Sequence, residues 1–160
     1  MQGLMQGVLT VKASHRYVIV AAEFNKFITA QLETGAREEL CKLGAQPSQV
    51  TTIWVPGSFE IPTVAMAVAK KGGVSAIICL GCIIRGQTTH FDHVAATAAS
   101  GIAAIGPATG IPAIFGVITA DTQEQALDRA GLKMGNIGSH AAVAAVQMAN
   151  TMADIAKGSI

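Results

Sequence analysis

Gly81-Cys82-Ile83-Ile84-Arg85-Gly86-Gln87-Thr88-Thr89-His90-Phe91-Asp92-His93-Val94 carries an apolar run into a short polar turn and then into an Ala-rich helical pattern. A strand, a Gly-Gln-Thr-Thr turn and a helix start, in that order, leave the unpaired N–H groups of the first helical turn facing the turn, where a phosphate is well held. Thr89, followed three residues later by Asp92, reads as a variant capping box and puts His90 on the first turn of that helix. The positive end of a helix opposes charging of a nearby imidazole. His90 is therefore expected in the neutral form, which can both take and give a proton near neutral pH. The chemistry this spacing predicts is proton transfer beside a bound phosphate.

Two other groupings invite different chemistry. His90 and His93, three apart, with Asp92 and His140 as further donors, admit a metal reading, but they make no complete ligand set in sequence, and no metal is expected. Cys79-Leu80-Gly81-Cys82 has the spacing of a redox pair, yet it lies in a strand run, where residues three apart point to opposite faces. Such a pair works at a helix N-terminus, so no redox role is expected. Three cysteines also make no disulfide framework.

Strands and helical patterns alternate around these residues. Tyr17 to Ala22 is a first apolar run, and Phe27 to Leu43 follows with Ile28, Leu32, Ala36, Leu40 and Leu43 on one helical face, closed by Gly44. Val50 to Val55 is a second strand, leading to a helix from near Glu60 to Lys71, with Pro62 in its first turn and Gly72-Gly73 at its end. Ala76 to Ile84 leads to a helix from His90 to about Ile105. Ala113 to Thr119 leads to a helix over Thr122 to Arg129, opened by the capping box of Thr122 and Gln125, and a last helix covers Ser139 to Ala156. Continuous apolar strands separated by helices predict a parallel sheet covered on both faces, with right-handed crossovers. Ligands bind such sheets at the C-terminal ends of the strands.

Composition narrows the class. Charged residues make up 13% of the 160, apolar residues 51%, and the mean hydropathy is +0.46, against an average of about 25% charged. A surface so poor in charge predicts a homo-oligomer with large apolar faces between subunits. The net charge of +1 and the lack of a Lys/Arg block argue against nucleic acid or an anionic membrane as a partner. No stretch approaches the length of a membrane span, and Met1-Gln2-Gly3-Leu4-Met5 lacks the features of a secretory signal, so a cytoplasmic location is expected.

Gly81 to Val94 resembles the signature of the 6,7-dimethyl-8-ribityllumazine synthase family. Three more stretches match the same family in chain order: Phe24-Asn25, Val55-Pro56-Gly57-Ser58-Phe59-Glu60-Ile61-Pro62 and Asp128-Arg129-Ala130-Gly131. The resemblance implies a flavodoxin-like α/β three-layer sandwich with a four-stranded parallel sheet flanked by helices. It forms one domain over residues 1–160, whose segment 1–16 is extended and packs on a neighbouring subunit. It implies condensation of 5-amino-6-(D-ribitylamino)uracil with 3,4-dihydroxy-2-butanone 4-phosphate, with release of phosphate and water, as the penultimate step of riboflavin biosynthesis. That chemistry asks for no metal or organic cofactor. The alternative is a catalytically weak flavin- or lumazine-binding cage protein of the same fold.

The resemblance also assigns roles. His90 matches the proton-transfer residue; Phe24 the platform under the pyrimidine; Ser58, Phe59, Glu60, Cys82, Ile83 and Ile84 the pyrimidine and ribityl contacts; Phe115 a second ring contact from a neighbouring subunit. Gln87, Thr88 and Arg129 match the phosphate site, where a planar guanidinium suits bidentate contact. Family members assemble as pentamers or as sixty-subunit shells of twelve pentamers with active sites between subunits, and riboflavin synthase is a further implied partner. Two positions depart. Ile137 stands where the family carries Lys, with Lys133 nearby in sequence, and His140 stands where it carries an acid thought to orient the histidine, so a weaker or pH-shifted activity is expected.

Overall fold

The computed structural model describes residues 5–158. Strands β1 (Tyr17–Ala22), β2 (Val50–Val55), β3 (Ala76–Ile84) and β4 (Ala113–Ala120) form one sheet in the order β2-β1-β3-β4, and every pairing is parallel. The helices are α1 (Lys26–Lys42), α2 (Ile61–Lys71), α3 (His90–Ala103), α4 (Ile105–Thr109), α5 (Gln123–Arg129) and α6 (Ile137–Ala156). None of the described helices is long and apolar enough to cross a membrane.

Period-two alternation divides each inner strand between two cores. Tyr17, Ile19 and Ala21 of β1 and Ala76, Ile78, Leu80 and Cys82 of β3 pack with Leu32, Ala36 and Leu40 of α1 and with Ala142, Ala145 and Val146 of α6. Val18, Val20 and Ala22, with Ile77, Cys79 and Ile83, pack instead with Ile61 and Ala65 of α2 and with Ala98 and Ile102 of α3. This is the expected three-layer α/β arrangement. It also places Cys79 and Cys82 on opposite faces, and burial raises their thiols to about 12 and about 11, which removes the thiolate needed for redox chemistry.

The expected strand bounds hold closely, and three helix details differ. The third helix ends at Ala103, and Ile105–Thr109 forms a separate short helix around Pro107. α6 begins at Ile137, two residues before the predicted Ser139, because the Asn136 side chain accepts a hydrogen bond from the Ser139 N–H at 3.2 Å and caps it. Thr122 caps α5 through the Gln125 N–H at 3.2 Å, but the Gln125 side chain accepts from the Asp121 N–H rather than closing the box on Thr122.

α1 and α6 cross closely. A Cβ at Gly138 would overlap the Leu32 carbonyl, a backbone atom that cannot swing aside. Gly138→Ala is expected to cost about 3 kcal/mol or more by forcing the helices apart, read as a fall in the urea midpoint at fixed protein concentration. An unchanged midpoint would show that the contact is soft.

At the opposite end of the sheet, His15 is 4% exposed, and its Nδ1 lies 3.0 Å from the Tyr17 hydroxyl. A neutral imidazole accepts from that hydroxyl. Burial and then Lys12 hold the His15 pKa below its ordinary 6.5, and burial raises Tyr17 to about 12. With the folded pKa depressed, the unfolded chain binds the proton first as pH falls. Stability is expected to be level above pH 6.5 and to decline below it, and His15→Gln should flatten that decline in urea titrations from pH 7 to pH 5.

Candidate active site

The C-terminal ends of β1, β2 and β3 converge on a cleft of about 780 Å³. Phe24 reaches it from the turn after β1, where backbone bonds from Glu23 N–H to the Val55 carbonyl and from Phe24 N–H to the Pro56 carbonyl fix the turn against the end of β2. Asn25 adopts a left-handed backbone, with φ 59°, and its amide donates to the Cys82 carbonyl at 2.8 Å, tying the same turn to β3. Asn tolerates that conformation better than most residues. Phe24 therefore stands out from the surface, 71% exposed, as a ring held by its backbone rather than by packing.

Ser58, Phe59 and Glu60 enter from the turn after β2. Glu60 is the residue immediately before α2, at its N-cap position. Ser58 is buried against Gly81, where a Cβ would come within 2.5 Å of its hydroxyl oxygen. Gly81 thus makes room for a neighbouring loop, a reason no turn rule supplies. Cys82, Ile83 and Ile84 form the cleft floor from β3, and Thr88, His90, Phe91, His93 and Val94 form its far wall. The wall residues Phe91, His93 and Val94 extend the site along α3, beyond what motif reading assigned.

The helix start is built differently from the expected capping box. Thr89 makes no side-chain cap bond, and Thr88 instead accepts from the His90 N–H at 3.4 Å. Asp92 turns away to Arg85, 3.2 Å from its Nη1, because a guanidinium offers a carboxylate more than one backbone N–H does. His90 is exposed at the cleft edge, and Gln87 is exposed on the turn but lines neither this cleft nor the next.

Phe115 and Arg129 lie elsewhere. They line a second cleft of about 670 Å³ at the outer edge of β4, with Gln125, Asp128, Met134 and Ile137. Arg129 is exposed, and its guanidinium makes no ion pair or hydrogen bond with another described residue, neither with Glu124 nor with Asp128. Ile137 puts an apolar side chain in this cleft, which leaves Arg129 the one cation among its described lining residues, since Lys133 does not line it. His140 lies beside Gly135, outside both clefts, and so does not meet His90 within one chain. Among the described residues no group of three or more His, Cys, Asp or Glu side chains is gathered to hold a metal ion.

A parallel α/β sheet with aromatic-lined clefts at its strand ends and outer edge, one with a histidine on a helix start and the other with an arginine that pairs with no other described residue, is the kind of site at which α/β proteins bind small molecules. Residues 14–153 match the model of one family, 6,7-dimethyl-8-ribityllumazine synthase. The match covers nearly all of the 160 residues, and the chain belongs to that family. It is a transferase of riboflavin biosynthesis that makes 6,7-dimethyl-8-ribityllumazine from small-molecule substrates, in a family that generally works as oligomers. The cage-protein alternative is not favoured.

Proposed function

We propose that each active site is built from two subunits, the cleft at His90 facing the cleft at Arg129 of the next subunit in a closed ring. The observation that carries this reading is the division of the matched residues within one chain. Phe24 and His90 share one cleft, while Phe115 and Arg129 share another beside the edge strand β4. Neither half suffices alone, and a head-to-tail ring completes every site identically. Exposed Phe24, Phe59 and Phe115 are then covered by substrate or by the neighbour.

In this reading Phe24 stacks on the pyrimidine, backbone groups of Ser58, Phe59 and Cys82 to Ile84 bind its edge, and Glu60 accepts from ribityl hydroxyls. Gln87, Thr88 and Arg129 hold the phosphate of 3,4-dihydroxy-2-butanone 4-phosphate. The 5-amino group attacks the ketone and water leaves as an imine forms. Loss of a proton from the hydroxyl-bearing carbon then expels phosphate and leaves an enol, which tautomerises to a new ketone at that carbon, and the ribityl-bearing nitrogen closes the ring on this ketone with loss of a second water. Every step moves protons, and His90, at the edge of the cleft, takes and returns them. Arg129 matches the growing charge on the departing phosphate.

The ring is read as a pentamer, alone or as one of twelve in a sixty-subunit shell, with riboflavin synthase as a further partner in the cytoplasm. The described residues before β1 stay on their own chain, where the Val11 N–H donates to the Leu43 carbonyl at 2.9 Å and the Asn150 amide donates to the Val8 and Thr10 carbonyls. The uninterrupted stretch Gly131 to Gly138 between the last two helices resembles the shell formers. With Ile137 in the phosphate cleft and His140 in place of an acid, turnover is expected to be weaker or shifted in pH relative to relatives with Lys and an acid there.

The test is to mix purified protein with both substrates and follow the lumazine by absorbance. Product above the uncatalysed background supports the reading. Tight riboflavin binding without product would move the cage protein to first place.

A further inference from the structure

Arg85 has no assigned role, yet it is tethered on three sides. Its Nε donates to Asp121 at 2.9 Å just past the end of β4, its Nη1 lies 3.2 Å from Asp92 on the first turn of α3, and its guanidinium carbon sits 4.2 Å from the centre of the Phe91 ring. Its own N–H also donates to the Ala120 carbonyl at 2.9 Å. Arg85 closes β3, and Phe91 and Asp92 open α3, so the guanidinium bridges the two ends of the turn 86–90. That turn has little else to hold it. Its residues are exposed, Thr89 makes no cap, and the bond from His90 N–H to Thr88 is long at 3.4 Å. Phe91 lines the His90 cleft, so the stack reaches the wall of the site itself.

We infer that Arg85 is a positioning residue, a staple across the turn 86–90 that sets the place of His90 and of the phosphate turn for catalysis. Two of its donors are committed to carboxylates and one of its faces to an aromatic ring, so its part is orientation, in contrast to Arg129, which pairs with no other described residue. The planar fork is what allows one side chain to meet two carboxylates and a ring together. The inference rests on the proposed role of His90. It predicts a selective defect, because Phe24 and Glu60 are held by elements the staple does not touch.

The experiment compares Arg85→Ala, Arg85→Lys and His90→Ala with wild type in the condensation assay, measuring kcat and both KM values, with urea midpoints and sedimentation alongside. Arg85→Ala is expected to lower kcat and raise KM for the phosphorylated substrate, together about 10- to 100-fold in kcat/KM, as misplacement of about an ångström does. KM for the pyrimidine substrate should stay within about twofold. Added guanidinium ion at millimolar concentration should restore part of the loss in Arg85→Ala, and Arg85→Lys should fall between alanine and wild type. Unchanged kinetics in Arg85→Ala, or equal rises in both KM values with no rescue, would overturn the inference. Should His90→Ala keep full turnover, the role of His90 would fall instead.

Discussion

His90→Ala is expected to lower kcat by about 10²- to 10⁴-fold while leaving the affinity for the pyrimidine substrate nearly unchanged. Positioned proton transfer is worth that much, and imine formation, elimination and ring closure each need it. Binding should survive because the platform and polar contacts come from other elements: Phe24 from the turn after β1, Ser58 to Glu60 from the turn after β2, Cys82 to Ile84 from β3. The substitution is also benign for folding, since His90 is exposed and its ring makes no hydrogen bond with another described residue. Steady-state kinetics with direct titration of the pyrimidine substrate checks both halves. A kcat within threefold of wild type would remove His90 from the chemistry.

Arg129→Ala is expected to act on the other substrate. A charge-assisted hydrogen bond contributes about 1.5–3 kcal/mol, and a bidentate contact to phosphate makes two. Arg129 is also the one cation among the described lining residues of its cleft, where Ile137 adds an apolar side chain. The loss should exceed about 100-fold in kcat/KM for 3,4-dihydroxy-2-butanone 4-phosphate, and KM for the pyrimidine should be unaffected. Equal changes for both substrates would show that Arg129 serves the structure instead.

Much of this architecture is legible in the chain because the strands are short apolar runs rich in β-branched residues, bounded by glycine, proline and polar turns. Tyr17–Ala22, Val50–Val55 and Ala76–Ile84 carry their own boundaries. Helix ends are harder because side chains compete for partners over distances no local rule sees. Asp92 looks like half of a cap for Thr89 and goes to Arg85 instead. Gly138 looks like a loop residue and is a helix-crossing contact, since only the position of α1 reveals why a side chain is excluded. The motifs name the site residues but not their grouping. That Arg129 sides with Phe115, away from Thr88 and His90, follows from α5 packing beside the edge strand β4, a matter of tertiary placement.

The shared site is tested most directly by complementation between two inactive variants. His90→Ala and Arg129→Ala are each nearly inactive in this account. When the two chains are co-expressed in equal amounts, some interfaces pair an intact His90 with an intact Arg129. Random mixing around a ring makes that chance about one in four, so the mixed oligomer is expected to regain roughly a quarter of wild-type activity. Mixed oligomers no more active than the two variants measured separately would contradict a site shared between subunits.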